Sequence, residues 1–226
     1  MEYPISRIYP GRAKRGEHVV IAIVDYRAGN LTSVRLALEH LGLPAKVTQD
    51  PREIASADHV IFPGVGAAGS AMKNLNQLEL IDALRGVVRK GIPFLGICLG
   101  TQVIFEHSEE DGGVDCLCLV PGSVKRFAPP DPLCKIPQMG WNTIQIRREH
   151  PLFRDIENES EFYFVHSYYP VPSDPSYILA ETEYAGTRFA SVIGKDNLAA
   201  TQFHPERSGR IGLQLLKNFS MWEGTC

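Results

Sequence analysis

The chain contains no run of eighteen apolar residues, so hydropathy gives no transmembrane helix and membrane association is not expected. Basic residues are not in excess either. Lys and Arg number 23 against 26 Asp and Glu, a formal net charge of -3, whereas nucleic-acid binding ordinarily rests on a basic face. Cysteine is sparse and odd in number: Cys98, Cys116, Cys118, Cys134 and Cys226 make five, in a chain too long for a small disulfide-stapled secreted scaffold. Reduced thiols and a cytoplasmic location are the expectation. Cys116-Leu117-Cys118 has one intervening residue and no second cysteine pair, which is not zinc-site spacing, and no metal is expected. Pro63-Gly64-Val65-Gly66 lacks the Gly-Lys-Ser/Thr ending of a P-loop and completes no dinucleotide fingerprint, and no cofactor is expected. The first residues lack the apolar core of a signal peptide; Arg12, Lys14 and Arg15 lie among prolines and glycines. Residues 1–17 read as a flexible extension. Internal repeats and linkers are missing, so residues 18–226 read as one domain.

What is present is an alternation of short apolar strands and helices. His18 to Val24 is nearly continuous in β-branched and apolar residues, the pattern of a strand buried on both faces. Asn30 is a candidate helix cap, followed by Leu31, Val34, Ala37, Leu38 and Leu41 at helical spacing and stopped by Gly42 and Pro44. Ala45 to Thr48 and His59 to Phe62 read as strands, Ala68 to Lys90 as helical, and Pro93 to Ile97 as a further strand. This order predicts an α/β fold of three layers, a mostly parallel central sheet with helices on both faces. After Gly113 the texture changes. Strand-like pieces from Trp141 to Ile146 and Phe162 to Val165 stand between turn-rich segments, which predicts an additional antiparallel portion. A strand from Leu198 to Phe203 and a helix from Ile211 to Phe219, with Leu213, Leu216 and Phe219 on one face, close the domain.

Three groups carry chemistry. Cys98 stands in Gly96-Ile97-Cys98-Leu99-Gly100, at a predicted strand-to-helix turn whose glycines let two backbone segments approach, as at the analogous serine elbows. Free N–H groups of the helix begun by Leu99 favour thiolate over thiol. Gln202-Phe203-His204-Pro205-Glu206 supplies an imidazole and a carboxylate. If strand geometry persists there, His204 and Glu206 point the same way, and Pro205 favours an extended His204. A thiol, a base and an orienting acid are the requirements of cysteine-based acyl transfer. The run Pro63-Gly64-Val65-Gly66 ends another strand at the same sheet edge, where ligands of open α/β sheets bind. Its N–H groups at Val65 or Gly66, with that of Leu99, would face a developing oxyanion.

With these residues the chain resembles the class I glutamine amidotransferases, and among them the glutaminase subunits of imidazole glycerol phosphate synthase. The general marks are the two runs around Cys98 and His204, with Gln102. The narrower marks include Asp25-Tyr26, Gly29-Asn30-Leu31, Met139-Gly140-Trp141-Asn142, Phe164-Val165-His166-Ser167-Tyr168 and Leu215-Leu216-Lys217-Asn218-Phe219. The resemblance implies that Cys98, His204 and Glu206 hydrolyse L-glutamine through a γ-glutamyl thioester. It implies that Gly64, Gln102, His166, Ser167 and Tyr168 hold the glutamine, the His166 ring doing no chemistry. It further implies a separate (β/α)8-barrel cyclase subunit, paired 1:1, that receives the ammonia, because no barrel fits in this length. Asn30, Trp141, Tyr163 and Arg207 fall near that contact or the ammonia passage.

Three departures from the pattern stand out. Arg27 and Arg207 replace a frequent glycine and lysine, and Cys116-Leu117-Cys118 stands where Gly-Leu-Gly is common. Two other readings are a glutaminase subunit serving another pathway and a non-catalytic regulatory subunit. The Asp25-Tyr26 and Met139-to-Asn142 runs disfavour the first, and the presence of all three chemical groups disfavours the second.

Overall fold

A computed structural model describes residues 20–27, 30–131 and 133–225. The expected extension, residues 1–17, lies outside them, as do His18, Val19, Ala28, Gly29, Pro132 and Cys226. The first half alternates strand and helix as predicted, with one further helix, α2, for which the sequence reading gives no element: β1 (Ile21–Val24), α1 (Leu31–His40), β2 (Ala45–Thr48), α2 (Pro51–Ser56), β3 (His59–Gly64), α3 (Ala68–Gln77), α4 (Leu80–Arg89), β4 (Phe94–Cys98) and α5 (Leu99–Val103). The helical stretch after Ala68 is broken at Glu79, whose φ of 56° no helix interior accommodates. The second half is rich in strands: β5 (His107–Ser108), β6 (Val114–Asp115), β7 (Gly122–Arg126), β8 (Gln138–Thr143), β9 (Gln145–Ile146), β10 (Glu161–His166), β11 (Tyr168–Pro172), β12 (Ile178–Tyr184), β13 (Thr187–Lys195) and β14 (Leu198–Thr201), followed by α6 (Gly209–Met221).

The central sheet runs β2-β1-β3-β4-β14-β13-β12-β9. Its first five strands are parallel, and the pairings of β14, β13, β12 and β9 are antiparallel. Alternation along β1 shows how both faces are covered. Ile21 and Ile23 enter one apolar cluster with Val34 and Leu38 of α1 and Leu215, Leu216 and Phe219 of α6. Ala22 and Val24 enter the other, with Ile54, Leu75, Leu84 and Val103 from α2 to α5. Burying a side chain of this size is worth about 1.5–3 kcal/mol, so two full clusters explain why β1 is apolar throughout. The predicted strand from Trp141 to Ile146 is two strands in different sheets: β8 pairs with β10, whereas β9 joins the edge of the central sheet at β12. Buried Ile144 separates them and turns the chain from one to the other. β11, β7, β5 and β6 make a third small sheet.

Parallel pairing sets Gly64 of β3 directly beside Cys98 of β4, and β14 flanks β4 on the other side. Three chain segments thus leave the sheet at one edge.

Candidate active site

Cys98 sits at the end of β4 with φ 53° and ψ -106°, a conformation disfavoured for any residue with a side chain and held here by its surroundings. Those surroundings need glycine. A Cβ at Gly100 would lie 1.9 Å from the Phe62 carbonyl oxygen, and one at Gly96 would lie 3.1 Å from the Ala200 Cβ. The two glycines therefore let α5 rest on β3 and β14 on β4, which fixes the sharp turn. The helix after Cys98 has only five residues, so its dipole is weaker than the expected helix would supply. The thiol is nearly buried, with Sγ 3.8 Å from the Val165 carbonyl oxygen and 3.9 Å from Gln202 Nε2.

The geometry after β14 differs from the sequence expectation. Strand pairing stops at Thr201, and Pro205–Arg207 forms a 3₁₀ turn rather than a continued strand. Pro205 occupies the first position of that turn, where its fixed φ and missing N–H suit a helical start. His204 itself is extended, at φ -100° and ψ 94°, as its proline neighbour requires. The turn still brings the carboxylate back to the ring: His204 Nδ1 and Glu206 Oε1 are 2.8 Å apart, and both side chains are almost fully buried. Backbone and hydroxyl contacts anchor the ring. His204 N–H donates to the Tyr163 carbonyl at 2.9 Å, and Ser208 Oγ donates to the His204 carbonyl at 2.7 Å while accepting from Tyr163 N–H at 3.0 Å. His204 Nε2 is buried with no hydrogen-bond partner among the described residues, and the ring borders the same cavity as Cys98. Burial alone would push the imidazole down. The nearby Cys98 sulfur and the Glu206 carboxylate outweigh it, and the pKa is pushed up to about 10.

Asn30 departs from expectation in a useful way. It takes a left-handed φ of 74° and its side chain caps no helix. Ser33 Oγ donates to Asn30 Oδ1 at 2.6 Å, which turns the amide nitrogen toward Glu206 Oε1, 3.0 Å away. Asn30 thus supports the carboxylate from 176 residues away in sequence, and Ser208 supports the imidazole. Sequence spacing signals neither contact.

A cavity of about 300 Å³ opens beside the thiol. It is bordered by Val65, Gly66, Cys98, Leu99, Gln102, Glu110, Pro137, Val165, His166, Ser167, Tyr168 and His204. Gly64 is not among them: its α-carbon faces the buried Tyr26 hydroxyl, which a Cβ there would meet at 1.9 Å. Gln102 Nε2 donates to the Tyr168 carbonyl at 3.0 Å and to Gln202 Oε1 at 3.1 Å, which leaves its own carbonyl oxygen as the polar atom still open. His166 has Nδ1 2.7 Å from the Tyr168 carbonyl and Nε2 3.0 Å from the Gln138 amide. Burial, only partly opposed by the Tyr168 contact, holds this imidazole down to about 4, so it stays neutral and occupied. Glu110, which the sequence reading does not single out, brings a half-buried carboxylate to the cavity while accepting the Ala68 N–H at 2.7 Å. Burial raises its pKa. The run Ser108-Glu109-Glu110 is a further mark of the family resemblance, but nothing in the run itself gives Glu110 a role at the site.

Beyond the cavity, Trp141 and Met139 on β8 are exposed large side chains, at 55% and 66%. Trp141 stands opposite Tyr163 of β10 with an edge-on ring contact of 6.2 Å, and the Arg207 guanidinium lies 4.5 Å over the Tyr163 ring. Arg27 and Cys118 both take φ values, 64° and 53°, that favour glycine, which gives these two positions a common physical reading; Arg207 and Cys116 do not share it. No cluster of metal-ligating side chains occurs among the described residues. No helix among them is long and apolar enough to cross a membrane.

Comparison with known proteins agrees with this geometry. The profile of class-I glutamine amidotransferases matches residues 22–221. The imidazole glycerol phosphate synthase subunit HisH of Moorella thermoacetica is 52% identical over 199 residues, covering 88% of this chain and 93% of that protein. The protein of the same name from Chloroflexus aurantiacus is 48% identical, covering 90% of this chain and 96% of its own length. Among solved structures, PurLQS from Thermotoga maritima superposes with a TM-score of 0.68 at 14% identity, covering 90% of this chain and 98% of that one. A glutamine amidotransferase from the same organism gives 0.61 at 15% identity over 90% and 83% of the two chains. At those identities the two structures speak for the fold alone. The elbow at Cys98, the His204–Glu206 pair and a profile match over most of the length lead to one assignment: the chain belongs to the class-I glutamine amidotransferase family.

Proposed function

We propose that this chain is the glutaminase subunit of imidazole glycerol phosphate synthase, converting L-glutamine and water to glutamate and ammonia at Cys98. The observation that carries the proposal is the convergence of a strained, nearly buried thiol and a carboxylate-held imidazole on one cavity. Cys98 and His204 Nε2 share one proton, and with it on the imidazole the Cys98 thiolate attacks the side-chain carboxamide carbon. The tetrahedral oxyanion forms beside Val65, Gly66 and Leu99, and collapses as the imidazolium gives its proton to the departing nitrogen. Ammonia leaves and a γ-glutamyl thioester remains. Water, deprotonated by His204, then cleaves the thioester and restores the thiol. Glu206 keeps the ring in the orientation this requires, and Asn30 keeps Glu206 in place. Glu110 and the carbonyl of Gln102 are the acceptors for the substrate α-ammonium, with Ser167 and Tyr168 closing the cavity around the amino-acid end.

The ammonia goes to a separate (β/α)8-barrel cyclase subunit in a 1:1 heterodimer, the whole domain from residue 18 onward working in the cytoplasm. The names of the relatives near 50% identity support the pathway, and the face made by exposed Met139, Trp141 and Arg207 with half-buried Tyr163 is the surface on which we place the partner. Supply of ammonia without an acceptor is wasteful, so the lone chain should be a weak glutaminase. Glutamate release measured with and without the cyclase subunit carrying its ligand tests this: strong stimulation is expected. Equal rates in both conditions contradict a partner-gated subunit.

A further inference from the structure

The Gln202 side chain has no role in the chemistry above, yet it is fully buried beside the nucleophile. Its orientation follows from a backbone group. The Tyr168 carbonyl can only accept, so Gln102 presents its NH2 there at 3.0 Å. The second N–H of the same group reaches Gln202 at 3.1 Å, where it needs an oxygen. Gln202 must therefore turn its own NH2 the other way, toward Cys98 Sγ at 3.9 Å. Among the described residues the sulfur is the hydrogen-bond partner of that nitrogen. Burying an amide NH2 against a neutral thiol gains little, because a thiol is a weak acceptor. Against a thiolate the same contact is charge-assisted and shortens.

Resting on the reading of Cys98 as nucleophile, we infer that Gln202 is a further catalytic residue: its amide donates to the Cys98 sulfur and sustains the thiolate. Gln102, held by Tyr168, is the positioning residue that aims it. The Tyr168–Gln102–Gln202–Cys98 line also joins the substrate end of the cavity to the reacting atom. A glutamine held at the Gln102 carbonyl and a thiolate held by Gln202 then fix the same pair of amides.

The test is alkylation by iodoacetamide across the pH range, read by peptide mass spectrometry at Cys98, with the exposed Cys118 peptide as internal reference. It is run on the full chain in complex with its barrel partner, alongside glutamate release. In Gln202→Met the pH of half-maximal Cys98 alkylation should rise by about 1–2 units, the equivalent of one hydrogen bond to a charged group, with no movement at Cys118. The rate kcat should fall more than KM rises. Should Gln202→Met fail to fold, Gln202→Glu keeps an acceptor for Gln102 and takes away the NH2, and its carboxylate beside the sulfur must also raise that midpoint. An unmoved midpoint with a raised KM means that Gln202 only props Gln102, which overturns the inference while leaving Cys98 as nucleophile. A wild-type Cys98 that resists alkylation, in a complex that releases no glutamate, overturns both.

Discussion

Replacing Gly100 by alanine adds one methyl group, and the structure says where it goes: 1.9 Å from the Phe62 carbonyl oxygen and 3.0 Å from its carbon, both backbone atoms in the middle of the sheet. A carbonyl in β3 cannot rotate away without breaking its pairing with β4, so α5 must retreat. Forced overpacking of this kind costs about 1–3 kcal/mol. The functional cost is larger than the loss of stability, because Cys98 is the residue on which α5 begins. A displacement of about 1 Å at the reacting atom costs on the order of a hundredfold in rate. Urea unfolding and glutamate release by the complex with the cyclase subunit measure the two effects separately. Gly100→Ala should remain folded, lose about 1–3 kcal/mol of stability, and lose activity by roughly two orders of magnitude. A variant with wild-type stability and activity would refute the idea that the absent side chain at position 100 sets the elbow.

Acid should destabilise the fold through buried neutral histidines. Burial holds His166 and His150 down to about 4, the latter also feeling Arg148, while the unfolded chain titrates near 6.5. Their stabilisation is therefore complete above about pH 6.5 and is lost as pH falls through about 4, at most about 3 kcal/mol each. Urea midpoints that stay level across that interval would contradict it. His204 works in the opposite direction: with its pKa raised to about 10, its contribution is present below about pH 6.5 and is lost as pH rises through about 10. Asn30→Asp should lower kcat at least tenfold, about 1.4 kcal/mol, by setting a second carboxylate against Glu206, with unchanged secondary structure by circular dichroism. Full activity would remove Asn30 from the supporting network. Cys118→Gly should stabilise the chain by up to about 1 kcal/mol, because φ is 53° there and no Cβ is then strained; lower stability in thermal unfolding would count against that reading.

The parts of this molecule that were legible in the sequence are those governed by local periodicity. The apolar face of α1 at Val34, Ala37 and Leu38, the inward Leu216 and Phe219 of α6, and the uniformly apolar β1 all bury as their spacing predicts. The Cys98 elbow was legible because the close approach of α5 to β3 and of β14 to β4 leaves a glycine signature at Gly96 and Gly100. What escaped depends on contacts between distant segments. Asn30 looked like a helix cap because its type suits one, but Glu206 and Ser33 engage its side chain. The 3₁₀ turn at Pro205 hid behind a proline compatible with both a strand end and a helical start. Gly64 pairs with Cys98 yet faces Tyr26 rather than the cavity, since pairing fixes position along the edge and not which side is open. Glu110 reaches the cavity from a short strand and turn with no periodicity to read.

The most direct test of the central claim compares two ammonia sources in the Cys98→Ala complex. The account predicts that synthesis from glutamine, and glutamate release with it, disappears, while synthesis from added ammonium salt continues at the wild-type rate. Glutamate release that survives the loss of this sulfur would contradict it.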